Sequence, residues 1–313
     1  MEITAQLVKQ LRDKTGAGMM DCKRALIDTS GDLQAAEEHL RKKGLMDAAK
    51  KASRAAADGL VACAVSSDKR MASVIEVNSE TDFVARNEKF QELVAEIAEI
   101  ALSTDDVLNA KSKGNCTISE EISQLISLIG ENISFRRSKK VRVEHGIVAA
   151  YIHNAIKPGM GKIGVLIALE AKCCQCSHSE SSPHSAELED LGRKLAMHVA
   201  AANPTYLCPS CVPQEVIAKE KEIVIAQAKE LGKPDAIAEK MADGRVKKFL
   251  EECTLLEQIY VVDGKSKISS VLETSRDKIG CEIKIASFTR FVLGEGIEKD
   301  ATNFAEEVGS FLR

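Results

Sequence analysis

One pattern restricts the fold of this chain more than any other: glycine, strand, turn, strand and helix, in that order, twice. In the first copy Gly59-Leu60-Val61-Ala62-Cys63-Ala64-Val65 leads to the apolar run Met71–Val77 and then to a helix expected from about Asn87. In the second, Gly146-Ile147-Val148-Ala149-Ala150-Tyr151-Ile152 leads to Lys162–Leu169 and a helix expected over Ser185–Ala202. Each hairpin has one face to bury and a helix to cover it. The pattern predicts an α+β fold with two related subdomains on antiparallel sheets. A length of 313 residues fits two or three such units better than one core. Aromatic residues make up 4% and tryptophan is absent, so the cores must be built from Leu, Ile, Val and Ala.

Further elements frame the repeats. Ile3, Leu7 and Leu11 form a stripe that Thr15-Gly16-Ala17-Gly18 interrupts; a second helix begins at Met19. A third is expected after Ser30-Gly31-Asp32, with Leu33, Ala36 and Leu40 inward and Gly44 as its stop. Three short helices make a marginal core on their own, which points to a docking module over residues 1–54. Met19 and Met20 are adjacent, so both cannot enter one core, and an exposed methionine suits an adaptable contact. Between the repeats, Ser119–Ile129 reads as a helix and Ile133–Val143 as a basic edge strand. In Pro213–Leu250, Ile217, Val224 and Leu231 recur every seven residues, Gly232-Lys233-Pro234 breaks the run, and Ile237, Met241 and Phe249 mark a return helix. This predicts a projecting antiparallel helical hairpin with a narrow apolar seam, weakened at Gly244. Asp300–Leu312, with Phe304, Val308 and Leu312 four apart, reads as a final helix.

The stretch Ser79-Glu80-Thr81-Asp82-Phe83-Val84-Ala85-Arg86-Asn87-Glu88-Lys89-Phe90 falls between a buried strand and a helix. Two readings of it stay open from the residues. Asp82 can cap its own helix while Phe83 packs inward. Alternatively, both can face outward, the carboxylate to compete for a cation and the ring to wedge into a partner.

Function classes narrow by exclusion. A net charge of −4 and a pI near 6.0 lack the basic bias of a general nucleic-acid binder. No apolar run reads as a signal peptide or a membrane span, so a soluble cytoplasmic protein with ten free thiols is expected. Cys174, Cys176, Cys208 and Cys211 could together supply four zinc thiolates, against the plainer reading of surface thiols on a variable loop. No phosphate-binding glycine loop, H-E-x-x-H or G-x-S-x-G is present, and neither His153 nor His198 has a nucleophile or acid grouped with it in sequence. A protein-binding factor is favoured over an enzyme or an adaptor.

Several segments together resemble the bacterial or organellar elongation factor Ts family. They are Leu7–Arg12 with Thr15–Lys23, Glu76–Asn87, Gly130-Glu131-Asn132, Ala196–Ala201 and Gly294–Lys299. The resemblance implies a guanine nucleotide exchange factor for elongation factor Tu, bound in its GDP-loaded and nucleotide-free forms, with no cofactor, no covalent chemistry and no direct contact with nucleic acid or membrane. It implies that Arg12, Met19 and Met20 of a UBA-like module dock on the partner's nucleotide domain and that His153 meets the same partner. Thr81, Asp82, Phe83 and Val84 would disturb the partner's Mg2+ site. The implied organisation is residues 1–54 for docking, 55–140 and 141–212 with 251–295 for the two core subdomains, 213–250 for a coiled-coil arm and 296–313 for a C-terminal helical module. A homodimer or a two-plus-two complex is compatible with it. The segment Gln258-Ile259-Tyr260-Val261-Val262-Asp263 departs from the family's Gln-Pro-Phe-Val-like pattern by losing a proline.

Overall fold

A computed structural model describes residues 3–172 and 185–297. The N-terminal helices are α1 (Ala5–Thr15), α2 (Met19–Asp28) and α3 (Leu33–Lys51). Thr4 caps α1 by accepting the Leu7 N–H, and Asp32 caps α3 by accepting the Gln34 and Ala35 N–H groups. Gly16 closes α1 at φ 69°, a conformation that glycine adopts without strain. Val8, Leu11, Cys22, Ala25, Leu26 and Ala36 form the shared core; Leu33 lies outside it, exposed.

Gly44 does not stop α3. The helix runs seven residues past it, to Lys51, and buries Gly44 against α5 (Ile118–Ile129). A Cβ at Gly44 would lie 3.6 Å from the Ser123 carbonyl, an ordinary van der Waals contact, so the site faces α5 closely but has room for an alanine. Glycine in a helix interior costs about 1 kcal/mol relative to alanine, and the packing of α3 along α5 carries the helix through it.

The repeats appear as β1 (Asp58–Val65), β2 (Met71–Ser79), α4 (Glu88–Ser103), α5 and β3 (Ile133–Arg142), then β4 (Gly146–His153), β5 (Met160–Gly161), β6 (Ile163–Lys172), α6 (Ser185–Ala202), α7 (Gln214–Glu230), α8 (Asp235–Cys253), α9 (Ile268–Ile279) and β7 (Glu282–Val292). Among the described residues the strands form two sheets, ordered β3-β2-β1-β5 and β4-β6-β7, with antiparallel pairing throughout. Corresponding irregularities recur. Gly59 and Gly146 open their hairpins at φ 123° and 125°, each against a carbonyl of the opposite strand, Val77 and Leu169 respectively. The outer strand then shifts register at Glu76/Val77 in one sheet and at Ala168/Leu169 in the other.

Alternation explains why these strands read as nearly continuous apolar runs. Leu60, Ile75 and Val77 pack beneath Phe90, Leu93, Val94 and Ile97 of α4. Val61, Ala72 and Val74 face the other way, onto Val148, Leu166, Ala168 and Phe291 of the second sheet. That sheet turns Val165, Ile167 and Leu169 towards Leu188, Leu191, Leu195 and Val199 of α6. The layers are therefore helix, sheet, sheet, helix.

The hairpin of α7 and α8 forms as expected, but its seam differs. Ala228, Ala238 and Ala242 are the buried residues, while Leu231, Ile237 and Met241 are exposed. Alanines let the backbones approach closely, and the Lys221–Asp243 and Arg245–Glu220 pairs flank the seam. Helix α8 continues unbroken through Gly244.

The expectation of free thiols fails at Cys208 and Cys211, which are disulfide-bonded, so these two are not zinc thiolates. Cys174, Cys176 and the helix expected over 300–312 lie outside the described residues. Among the described residues no group of three or more His, Cys, Asp or Glu could hold a metal, and no helix is long and apolar enough to cross a membrane.

Candidate functional site: an exposed strand-to-helix turn

The turn after β2 is built so that only part of it can enter the core. Val84 and Ala85 point inward with Phe90, and Asn87, not Asp82, caps α4 by accepting the Phe90 N–H at 3.2 Å. With the core filled and the cap taken, Phe83 is left 77% exposed, and Asp82 beside it is exposed too. The inward reading of Phe83 and the capping reading of Asp82 are both overturned. Exposing so large a ring forgoes about 1.5–3 kcal/mol of burial.

The turn is held from below. The Glu131 carboxylate accepts the Thr81 N–H at 2.9 Å and the Thr81 hydroxyl at 2.7 Å. Ser79 donates its hydroxyl to the Thr81 carbonyl, and Glu80 accepts the Asn132 N–H. Of the four turn residues singled out in the sequence, Thr81 is thus an anchor, Val84 is core, and Asp82 and Phe83 are displayed. Glu131 was missed as a contributor. Its signal was the Gly130-Glu131-Asn132 segment, in which Gly130 ends α5 in the left-handed conformation and delivers Glu131 to the turn.

A buried carboxylate lies on the same strand, a few residues before the turn. Glu76 is fully buried and accepts hydrogen bonds from Arg137 Nε (2.6 Å), Gly294 N (2.8 Å), Arg136 Nη1 (3.0 Å) and Asn78 Nδ2 (3.1 Å). Burial pushes its pKa up, but the Gly294 N–H, the Asn78 amide and the two guanidiniums together outweigh burial and hold it below the ordinary value. Arg137 also donates to the Val292 carbonyl and Glu295, and stacks 4.2 Å from the Phe291 ring centroid. The basic residues of β3 are therefore more than a charged edge: two of them bind the first sheet to the turn after β7.

The remaining predicted positions lie apart in the chain. Arg12 is exposed near the end of α1, and Met19 and Met20 are both exposed, by 52% and 70%, at the start of α2. His153 is exposed at the end of β4, its Nδ1 3.1 Å from the Tyr151 hydroxyl. His198 is fully buried. Its Nε2–H donates to Gln258 Oε1 at 2.9 Å while Nδ1 accepts the Val261 N–H, and desolvation depresses its pKa despite the Gln258 bond.

The model of the elongation factor Ts family matches residues 80–295. The chain belongs to the elongation factor Ts family. Elongation factor Ts of Gluconobacter oxydans is 50% identical over 313 residues, covering 99% of this chain and 98% of that protein. Those of Paramagnetospirillum magneticum and Brucella anthropi are each 49% identical, covering 99% of this chain and 97% and 99% of their own lengths. Elongation factor Ts membership thus extends over the N-terminal helices, which precede the segment matched by the family model.

Proposed function

We propose that the turn carrying Asp82 and Phe83 is the element by which this chain loosens bound GDP. As a member of the elongation factor Ts family, the chain is a guanine nucleotide exchange factor for elongation factor Tu and performs no covalent chemistry. The observation that carries the reading is the exposed Phe83 ring on a turn whose backbone is pinned by Glu131. A ring carried on a fixed stretch of backbone can displace a neighbouring element of a partner with little backbone left to order. Asp82 brings a carboxylate with it. Set near a bound Mg2+, this pair would disturb the cation, and a diphosphate that loses its cation is left uncompensated and binds weakly.

The coupling has to run both ways. If the factor weakens GDP, GDP weakens the factor by the same free energy, so exchange is accelerated in both directions and the nucleotide supply sets its outcome. Arg12, Met19 and Met20 serve the docking role in this reading, supported by their exposure on α1 and α2, and His153 is a further contact. Residues 1–54 act as the docking module, the two sheets with their helices as related core subdomains, residues 213–250 as an arm, and residues 296–313 as a further contact. The site of action is the cytoplasm.

Release of a fluorescent GDP from elongation factor Tu, followed with and without this protein, tests the reading. Acceleration that saturates with protein concentration is expected. No acceleration at micromolar protein would end it.

A further inference from the structure

We propose that Cys208 and Cys211 form a thiol–disulfide exchange site at the root of the α7–α8 hairpin, reacting with low-molecular-weight thiols and disulfides. This stands independently of the exchange function. The two cysteines occur as Cys-Pro-Ser-Cys, with Cα atoms 5.2 Å apart, inside the window that a disulfide requires. C-x-x-C pairs are the spacing at which protein thiols commonly exchange with cellular thiol pools.

The loop is preorganised on both sides. Just before it, the Leu255 and Leu256 N–H groups donate to the Tyr206 and Leu207 carbonyls, and the Thr205 and Tyr206 N–H groups donate to the Cys253 carbonyl. The strands of chain entering and leaving the hairpin are therefore zipped together next to Cys208. Just after it, Val212 is buried. Within it, the Cys211 N–H donates to the Cys208 carbonyl at 3.0 Å, and Pro209 fixes its own φ. These contacts do not depend on the sulfur–sulfur bond, so the two thiols stay close when it opens.

The surroundings give the reaction a direction. Cys211 is exposed and Cys208 half-buried. The Ser210 hydroxyl lies 3.1 Å from Cys208 Sγ. In the bonded state that sulfur carries no hydrogen, so the hydroxyl is the donor. An external thiolate attacks Cys211 Sγ, the sulfur–sulfur bond breaks, and Cys208 leaves as a thiolate that the Ser210 O–H stabilises. A second external thiolate attacks the mixed disulfide and releases Cys211. The protein disulfide is reduced to two thiols, two small thiols are oxidised to one small disulfide, and their two protons end on Cys208 and Cys211. In a reducing compartment such a bond is transient rather than a permanent staple.

The test uses the full chain, native and in urea, in buffers of reduced and oxidised glutathione, followed by alkylation and peptide mass mapping. A Cys208–Cys211 disulfide that opens and closes reversibly with the glutathione ratio is expected, more readily formed in the native chain than in the unfolded one. In Cys208→Ser a glutathione adduct accumulates on Cys211, and in Ser210→Ala reduction slows several-fold while the hairpin's hydrogen exchange is unchanged. Absence of the bond at every ratio, its formation with a different cysteine, or equal behaviour in urea would overturn the proposal. An unchanged reduction rate in Ser210→Ala would overturn the direction of attack.

Discussion

Replacing Glu76 with Gln keeps the shape of the side chain and removes its charge, at a position with no solvent exposure and four donors. Gln can accept through one oxygen only, and its amide NH2 faces guanidiniums that are themselves donors. Removing one partner of a buried ion pair costs about 3–5 kcal/mol. Arg136 and Arg137 retain 27% and 31% side-chain exposure, so water recovers part of their solvation and the low end, about 3 kcal/mol, is expected. A chain with two sheets need not unfold in one step, so native-state hydrogen exchange of the β2 and β3 amides is the suitable assay. A loss of about 3 kcal/mol speeds their exchange roughly 100-fold. The effect depends on pH with a definite sign. Because the folded-state pKa of Glu76 is depressed, its contribution is present above the unfolded carboxylate range and is lost as pH falls through the folded value. Wild type and variant, compared at the same pH, therefore converge in acid. A difference under about 1 kcal/mol at neutral pH, or one that persists unchanged in acid, would refute the reasoning.

Further outcomes follow from other sites. Glu131→Ala frees the Thr81 N–H and hydroxyl and is expected to slow GDP release several-fold without unfolding the chain; circular dichroism and the nucleotide-release assay together check this. His198, buried with a depressed pKa, stays neutral in the folded chain while the unfolded chain takes up a proton below about pH 6.5. Stability therefore falls as pH drops below that value, and urea titrations of a His198→Gln variant are expected to lack this component. Gly146→Ala places a Cβ against the Leu169 carbonyl at a positive φ and is expected to cost at least about 2 kcal/mol, seen as a lowered thermal midpoint.

The two hairpins and their covering helices were legible because their periodicity is local: alternating residues on strands and four-residue spacing on helices. The location of the turn was legible for the same reason, but the direction of its side chains was not. A phenylalanine at a turn fits either an inward or an outward reading, and the choice fell to Val84 and Phe90, which fill the core, and to Asn87, which takes the cap. Gly44 misled because helix propensity speaks only of the helix itself, whereas the course of α3 beyond it follows from packing along α5. The seam of the hairpin was misplaced because larger apolar residues draw attention from alanines, although close-packed helices bury the alanines. Three of the four donors to Glu76 stand 60 to 218 positions away, at Arg136, Arg137 and Gly294, beyond any local pattern.

The most direct measurement compares wild type and Phe83→Ala, each at saturating concentration, in the release of fluorescent GDP from elongation factor Tu, with affinity for the partner measured in parallel. If the displayed ring does the displacing, the variant still binds but its limiting release rate drops at least about tenfold, a loss of about 1.4 kcal/mol in barrier lowering. Full acceleration by the variant, or loss of binding in the same proportion as loss of rate, would contradict it.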